Sequence, residues 1–151
     1  MILKIESKED KQNIAKHLLE SLTDWFGIKE ARDNYIITCA LLPLFASYDK
    51  DIPTGFIALQ ETSKHMIDIY VMGVAKTHQR SGLGRRLLMT AEDYAREEGY
   101  KLIQVKTVAF GHDENYDKTN LFYRSLGFYE LEVFKTLWDE HNPCLILVKP
   151  L

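Results

Sequence analysis

Residues 69–88, IYVMGVAKTHQRSGLGRRLL, decide the fold of this chain. The stretch begins with an apolar strand at residues 69–74, passes through a polar turn at 75–81, and enters a helix near Gly82. Glycines at positions 82 and 84 allow the backbone to approach a bulky group without an intervening Cβ atom. The helix that follows directs its unpaired N–H groups and the positive end of its dipole at the same place. The stretch therefore predicts an anion site, and a pyrophosphate is the anion that suits it best.

The composition is that of an ordinary globular chain. Its 151 residues suit one domain, which would bury about 70% of its unfolded surface. With 19 basic and 22 acidic residues the formal net charge is −3, which gives no general reason to bind nucleic acid or an anionic membrane. Cys39 and Cys144 could pair with each other, but they match no metal spacing or disulfide framework, so we expect two buried thiols. No apolar run reaches the ~20 residues of a membrane span, and residues 1–11 lack a signal-peptide core, so we expect a cytoplasmic protein.

Hydrophobic periodicity and turn residues predict the order of the elements. Helices are expected over residues 7–22, 28–39, 82–99 and 120–126, the last after a polar loop and with Asp117 or Thr119 as its cap. Strands are expected over residues 1–5, 44–48, 54–61, 66–74, 101–110, 128–134 and 144–148. The three strands between residues 44 and 74 form an antiparallel meander, and the helix after Gly82 makes one parallel crossover. The pattern predicts a single α/β domain.

Three nucleotide-type interpretations compete for the hexapeptide from Gln79 to Gly84. A P-loop requires a Lys-Ser or Lys-Thr pair after its glycines, and the chain has none there. A Rossmann fingerprint requires a third glycine where this chain has Leu87. The pyrophosphate turn Gln/Arg-x-x-Gly-x-Gly/Ala fits at every position. The plain structural alternative is that two glycines ease a tight turn between a strand and a helix.

Two segments together resemble the GNAT family of N-acetyltransferases. Residues 74–88 are similar to the family's motif A, which binds acetyl-CoA through this turn, and residues 120–128, NLFYRSLGF, are similar to its motif B. One helix, one strand and one loop separate the two segments, as in the family. Lys76 stands where many members have a proline, and Thr119 where many have an alanine, but neither change removes a chemical group. Residues 136–145 resemble a subgroup of uncharacterised bacterial members.

The resemblance implies a fold and a co-substrate. The fold would be α/β (α+β), with a mixed, mostly antiparallel central sheet flanked by helices. The co-substrate would be acetyl-CoA, whose pantetheine arm would pair with backbone groups of Met72, Gly73 and Val74 as an added strand does. Groups in the glycine turn would hold its pyrophosphate, mostly through main-chain amides, and the residues concerned are Gln79, Arg80, Ser81, Gly82, Leu83, Gly84 and Arg85.

Transfer of an acetyl group to an amine needs a neutral nucleophile. An amine with a pKa of ~10.4 is neutral in only about one molecule in 2,500 at pH 7, so presenting it neutral is worth up to ~4.6 kcal/mol. A base should therefore matter at least as much as an acid. Asp68 is the candidate base, because it stands eleven residues before Gln79, where the histone-acetylating branch of the family carries a glutamate base. Alternation places Asp68 on one strand face with Tyr70 and Met72, and a polar strand end is the alternative.

Tyr123 is the candidate acid, since its family counterpart usually donates a proton to the departing sulfur. Asn120 lies three residues earlier, so the two share one helix face and would contact the cofactor. The other side of the helix is expected to be buried, and it carries Leu121, Phe122 and Leu126. A packed tyrosine with a satisfied hydroxyl is the alternative.

The acceptor pocket is expected to come from the N-terminal helices, as in the family, and its lining residues would be Trp25, Phe26, Glu30 and Tyr35. The loop before motif B could reach the same mouth with His112, Glu114 and Tyr116. Aromatic residues in a turn are, alternatively, part of a core. No metal is expected, because no ligand spacing connects His65, His78 and His141.

The function predicted is an acetyl-CoA-dependent N-acetyltransferase that acts on a primary amine of a small molecule or a protein. A non-catalytic acyl-CoA-binding module is the alternative, and the presence of Tyr123 with a usable base favours the enzyme. A nucleic-acid binder that uses Arg80, Arg85 and Arg86 is disfavoured, because acidic residues follow on the same helix. The sequence identifies no acceptor, and it leaves open a homodimer formed through the last strands.

Overall fold

The structure, a computed structural model, describes residues 1–139 and 141–151. Its helices are α1 (Lys8–Ser21), α2 (Lys29–Cys39), α3 (Leu83–Glu97) and α4 (Glu114–Ser125), with a 3₁₀ turn at Lys76–His78. Its strands are β1 (Ile2–Lys4), β2 (Leu44–Asp49), β3 (Ile52–Ser63), β4 (Met66–Val74), β5 (Leu102–Val108), β6 (Tyr129–Asp139) and β7 (Asn142–Pro150). No helix in this described part is long and apolar enough to cross a membrane.

The strands form one seven-stranded sheet in the order β1-β2-β3-β4-β5-β7-β6. Neighbouring strands are antiparallel except β4 and β5, which run parallel because α3 connects them as a crossover. The meander of β2, β3 and β4 is confirmed, and so is the mixed, mostly antiparallel α/β fold.

Helices cover both faces of the sheet. On one face, α1 packs with α2 against the strands, and the predicted stripe of α1 is confirmed, since Ile14, Leu18 and Leu22 are buried. Ser7 caps α1 by accepting a hydrogen bond from the amide of Asp10 at 3.2 Å. On the other face, α3 buries its apolar side against the sheet, and α4 packs there through the side that carries Tyr123. Both cysteines are buried and reduced, as expected.

A β-bulge in β4 corrects one prediction about the faces of that strand. Two consecutive residues of β3 pair with residues of β4 that are two apart, which leaves Tyr70 as an extra residue between them. Tyr70 therefore packs on the side of α1 and α2, whereas Met72 packs on the side of α3 and α4. The expectation that Asp68, Tyr70 and Met72 share one face is wrong for Met72.

Helix α4 begins at Glu114, well before the expected start at residue 120. The cap is Asp113, whose carboxylate accepts hydrogen bonds from the amides of Asn115 at 2.8 Å and Tyr116 at 3.2 Å. Asp117, one of the expected caps, accepts a hydrogen bond from the Gly111 amide at 3.0 Å instead. The early turn is polar, so hydrophobic periodicity did not distinguish it from a loop.

The last two strands form a longer hairpin than expected. Strand β6 continues to Asp139, whose carboxylate accepts hydrogen bonds from the amides of His141 at 2.9 Å and Asn142 at 3.0 Å. Pro143 lies inside β7, directly before Cys144, which is the first β7 residue that pairs with β5. Proline has no N–H group to donate, but Pro143 precedes the residues that pair with β5, so no hydrogen bond of that ladder is lost. Strand β7 can therefore begin at Asn142, earlier than expected from the position of the proline.

The parallel strands β4 and β5 separate partway along their length. They pair only from Met66 to Ile69 on β4 and from Leu102 to Val105 on β5. Beyond these pairs β4 continues to Val74 beside β3, and β5 continues beside β7. The two halves of the sheet thus diverge in front of the N-terminus of α3, and the site described next occupies that gap.

Candidate active site

The separation of β4 and β5 opens a cleft of about 860 Å³. Its walls are residues 69–74 of β4, residues 105–107 of β5, the start of α3 and one side of α4. The start of α3 lies at one end, and aromatic side chains lie at the other. Tyr123 stands between the two ends. Its hydroxyl lies 3.7 Å from the sulfur of Met72, and the Met72 methyl is close to Gly84 of α3.

The start of α3 is built for an anion. Gly82 precedes the helix in the left-handed conformation, with φ of 84°, and no described side chain caps the helix. The first helical hydrogen bond runs from the Arg86 amide to the Gly82 carbonyl at 3.1 Å, so the three amides before it are left for another partner. The first turn contains no acidic residue, and the side chains of Arg80 and Arg85 line the cleft there. Backbone amides, dipole and full charges thus favour the same ligand.

Two further backbone features shape this end of the cleft. A Cβ atom on Gly84 would lie 3.3 Å from the ring of Phe122, so the glycine allows α3 and α4 to approach closely. Arg80 has a φ of 62°, which non-glycine residues seldom adopt. The side chain of Gln79 donates a hydrogen bond to the Val74 carbonyl at 3.1 Å and so connects the turn to the end of β4.

Tyr123 is buried on the cleft wall, with 4% of its surface exposed. Its ring packs edge-on against Phe122 and Phe128, at centroid distances of 5.2 Å and 5.3 Å. Burial raises the pKa of its hydroxyl well above the ordinary value, and the negative charge of Asp68 adds to the effect. The hydroxyl is therefore protonated at neutral pH and can act as a donor.

Asp68 lies beneath the cleft, on the second-to-last pair of the β4–β5 ladder, opposite Gln104. The amide of Gln104 donates a hydrogen bond to the carboxylate at 3.2 Å. Burial raises the pKa of Asp68, although the charge of Lys106 and the bond from Gln104 oppose the shift. The carboxylate does not line the cleft itself, although Ile69 and Tyr70, the next residues of β4, do.

The other end of the cleft is aromatic. Of the residues expected to form the acceptor pocket, Trp25, Phe26 and Tyr35 line it. Tyr116 lines it as well, and its hydroxyl donates a hydrogen bond to the Trp25 carbonyl at 2.8 Å. This bond connects α4 to the turn between α1 and α2, and it fixes the distance across the cleft.

Several expected site residues lie elsewhere. Glu30 is exposed on the first turn of α2, outside the cleft, and His112 and Glu114 are exposed as well. Ser81 uses its hydroxyl to bond the His78 carbonyl. The side chain of Leu83 is buried in the core, so only its backbone is available to a ligand.

Asn120 is the largest departure from the expected site. Its side chain is fully buried, and it is used by β5: it accepts a hydrogen bond from the Thr107 hydroxyl and donates one to the Val108 carbonyl at 2.9 Å. Because β5 satisfies its amide, α4 buries the face with Asn120 and Tyr123, while Leu121 on the face expected to be buried is 58% exposed. Asn120 thus positions Tyr123 by holding α4 on β5.

Sequence reasoning missed several contributors to the cleft, among them Lys106 and Trp138. Lys106 lies on β5, in a strand that was assigned only a structural role. Trp138 lies near the end of β6, in a segment expected to be a loop. The bulge at Tyr70 also escaped detection, since nothing in a strand's alternation indicates where the pairing register shifts.

Comparison with known proteins gives consistent results. The model of the acetyltransferase (GNAT) family matches residues 12–128. Over 63 residues the chain is 36% identical to Probable N-acetyltransferase 14 of Xenopus tropicalis, and this alignment spans 41% of the chain and only 31% of that protein.

Two solved structures share the fold. A GNAT-family protein from Desulfovibrio desulfuricans matches with a TM-score of 0.86 and 20% identity, over 99% of this chain and 98% of that one. A GNAT acetyltransferase from Elizabethkingia anophelis with acetyl-CoA bound matches with a TM-score of 0.71 and 18% identity, over 100% of this chain and 97% of that one.

Proposed function

Because the chain belongs to the acetyltransferase (GNAT) family, whose co-substrate is acetyl-CoA, we propose that it transfers the acetyl group to a primary amine of a small molecule or a protein. One observation carries the proposal: a single cleft joins the uncapped start of α3 to the buried hydroxyl of Tyr123. Residues 1–151 are proposed to act as one acetyltransferase domain, and a cytoplasmic location is proposed with it.

The start of α3 is proposed to hold the pyrophosphate. The amides of Leu83, Gly84 and Arg85 lie ahead of the first helical bond and would bind its oxygens, with the charges of Arg80 and Arg85 in support. The lack of an acidic residue in that turn fits an anionic ligand. Along β4, the backbone of residues 72–74 faces the gap and is proposed to pair with the pantetheine arm, while the Gln79 side chain secures the turn.

Acetyl-CoA supplies the activated acetyl group: a C–N bond forms from the amine lone pair, the C–S bond breaks, and the proton lost by nitrogen balances the one gained by sulfur. Tyr123 is proposed to donate the proton to sulfur, because its high pKa keeps it protonated until the leaving group gains charge. Asp68 is proposed to receive the proton from nitrogen, through water if needed, since burial has moved its pKa upward toward neutrality.

Amine-dependent release of thiol from acetyl-CoA tests this proposal. We expect the Tyr123→Phe variant to lose about a hundredfold or more in kcat while its CoA dissociation constant, measured by calorimetry, changes less than about twofold. Tyr48→Phe, on β2 away from the cleft, is the matched control. Thiol release by no amine, despite tight CoA binding, would instead identify a non-catalytic binding module. An unchanged kcat in Tyr123→Phe would remove that residue from the mechanism.

Self-association through the last strands remains part of the proposal. Strand β6 is an edge of the sheet, and it exposes Tyr129, Leu131 and Val133 to 71%, 61% and 42%. Exposed apolar edge strands pair readily with other chains. Sedimentation analysis of Leu131→Lys beside the unchanged protein would detect a loss of dimer if β6 forms the interface.

A further inference from the structure

The aromatic end of the cleft contains more rings than an amine alone requires. Six rings line it, from Trp25, Phe26, Tyr35, Tyr70, Tyr116 and Trp138. Phe26 meets Tyr35 edge-on at a centroid distance of 5.8 Å, and Tyr35 meets Tyr70 at 5.2 Å. Because a neighbouring ring or a hydrogen bond holds five of the six, all but Trp138, the wall presents flat apolar faces in fixed orientations. Such a wall favours a ligand that contains a planar aromatic ring.

The charges around the cleft all have one sign. The charged side chains that line it are Arg80, Arg85, Lys106 and Lys118, and no carboxylate of the described residues is among them. The two arginines lie at the start of α3, where the pyrophosphate is proposed to bind. Lys118 forms an ion pair at 4.0 Å with Glu114, one turn earlier on α4. Lys106 is thus the cation that lies away from the start of α3 and forms no ion pair within 4.0 Å with a described residue.

Lys106 faces the aromatic end. Its neighbours on β5 point to the opposite side of the sheet, since Val105 packs with α3 and the Thr107 hydroxyl bonds Asn120 of α4. Alternation therefore directs Lys106 to the face that carries Tyr70 and Tyr35. The same lysine lies close enough to Asp68 for its charge to oppose the rise in the pKa of that carboxyl.

We infer that the acceptor is a primary amine that carries an aromatic ring and one carboxylate, as an aromatic amino acid does, with Lys106 as the partner of the carboxylate. This inference rests on the proposed function and names the substrate class of the same site. The rings would hold the aromatic group by stacking, and the entering ammonium by cation–π attraction. The positive charges of the lining also disfavour the ammonium form, which lowers the pKa of the amine and favours the neutral nucleophile. A polyamine would meet several like charges and no partner.

The test uses pairs of amines that differ only in the carboxylate: phenylalanine with phenethylamine, and tryptophan with tryptamine, with spermidine as the polycation. Thiol release by the full chain gives kcat/KM for each. A carboxylate lowers the pKa of its own amine, so the decisive quantity is how a variant changes the ratio within a pair. We expect the ratio of kcat/KM for the carboxylated amine to that for the decarboxylated amine to fall about tenfold in Lys106→Met. The ratio should stay unchanged in Lys64→Met, because Lys64 is exposed in the turn between β3 and β4.

An unchanged ratio in Lys106→Met would overturn the inference. So would a higher kcat/KM for spermidine than for the aromatic amino acids, and if that activity still depended on Tyr123, the proposed function would stand. If no amine releases thiol, the proposed function fails, and binding decides the inference separately. Calorimetry on the CoA-saturated chain would then compare N-acetylphenylalanine with N-acetylphenethylamine. Preference for the first, lost in Lys106→Met, supports the inference, and equal binding contradicts it.

Discussion

Two buried ionisable side chains, Asp68 and Tyr123, lie near enough to each other to interact electrostatically. Burial raises the pKa of both groups, and the charge of Asp68 raises that of Tyr123 further. The effects suit opposite roles: a carboxylate with a raised pKa is a stronger base, and a phenol with a raised pKa keeps its proton until it is needed. In the proposed mechanism, the burial that raises both pKa values therefore contributes to catalysis as well as to packing.

We expect Asp68→Asn to lower activity and raise stability at neutral pH. The pKa of Asp68 is higher in the folded chain than the ordinary value of 3.8. The unfolded chain therefore loses this proton at lower pH, and stability falls as pH rises from the unfolded pKa through the folded pKa. Asparagine carries no charge to bury and can still accept the bond from Gln104. The melting temperature at pH 7 should rise by roughly 2–4 °C for each kcal/mol that the substitution adds to the free energy of unfolding.

The pH dependence provides the control for Asp68→Asn. The gain in melting temperature should shrink as pH is lowered toward the unfolded pKa, where the natural carboxyl is protonated in both states. The acidic limb of the kcat/KM profile, on which activity rises as Asp68 ionises, should disappear in the variant. A variant less stable at pH 7, or one with full activity and the same limb, would contradict this account of Asp68.

At the scale of elements, the N-terminus of α3 is where backbone conformation should affect ligand binding most directly. Gly82 and Gly99 both adopt left-handed backbone conformations, with φ of 84° and 90°. Gly82 lies at the proposed pyrophosphate site, and Gly99 lies beyond the other end of α3. A Cβ atom at position 99 would have no other atom within 4 Å. The two glycines therefore differ in position while sharing the same conformational strain on substitution.

We expect Gly82→Ala and Gly99→Ala to lose about 1–2 kcal/mol each in unfolding free energy, because alanine is strained in this conformation. Only Gly82→Ala should also weaken acetyl-CoA binding, by about tenfold or more in KM, because its Cβ stands in front of the amides. Denaturant titration and steady-state kinetics on both variants measure the two effects. Equal KM values in the two alanine variants would show that the turn does not hold the cofactor.

Much of the element plan was predictable from the sequence, because local patterns determine it. The spacing of Ile14, Leu18 and Leu22 predicts α1, and the glycine turn predicts the crossover, and both predictions are confirmed. The start of α4 was not predictable from apolar periodicity, since Asp113 begins a polar turn. The bulge at Tyr70 depends on pairing between two strands.

The candidate site was predictable to the extent that motifs mark it. Tyr123, Trp25 and Phe26 line the same cleft as most of the turn, namely Gln79, Arg80, Gly82, Gly84 and Arg85. Glu30 does not, because the helix that carries it turns the first residues outward. Lys106 and Trp138 had no local signal, since a lysine on a strand and a tryptophan near a hairpin end gain a role only when the sheet brings them to the gap.

At the scale of the whole molecule, one ion pair joins the two halves of the divided sheet. Glu92 of α3, with its side chain 6% exposed, meets Lys149 of β7 at 2.5 Å. Helix α3 packs largely on the β1–β4 half, whereas β7 belongs to the half beyond the gap. The pair therefore limits how far the two halves can separate around the cleft.

We expect Lys149→Met to lose roughly 3 kcal/mol of unfolding free energy, because it leaves a buried carboxylate without a partner. The melting temperature should fall by about 6–12 °C. The double variant Glu92→Leu with Lys149→Met should recover most of the loss, since no charge then remains buried. Lys29→Met is the control, because it breaks an exposed pair with Asp33 at 2.7 Å and should change stability by less than about 1 kcal/mol. Equal losses in Lys149→Met and Lys29→Met would contradict a clamping role.

The central claim is that the amides at the start of α3 hold a pyrophosphate and direct the thioester toward Tyr123. A crystal structure of the chain with CoA bound tests it most directly. The account predicts the pyrophosphate on the amides of Leu83, Gly84 and Arg85, the pantetheine arm between β4 and β5, and the sulfur within hydrogen-bond reach of the Tyr123 hydroxyl. A pyrophosphate bound elsewhere, or a sulfur far from that hydroxyl, would contradict it.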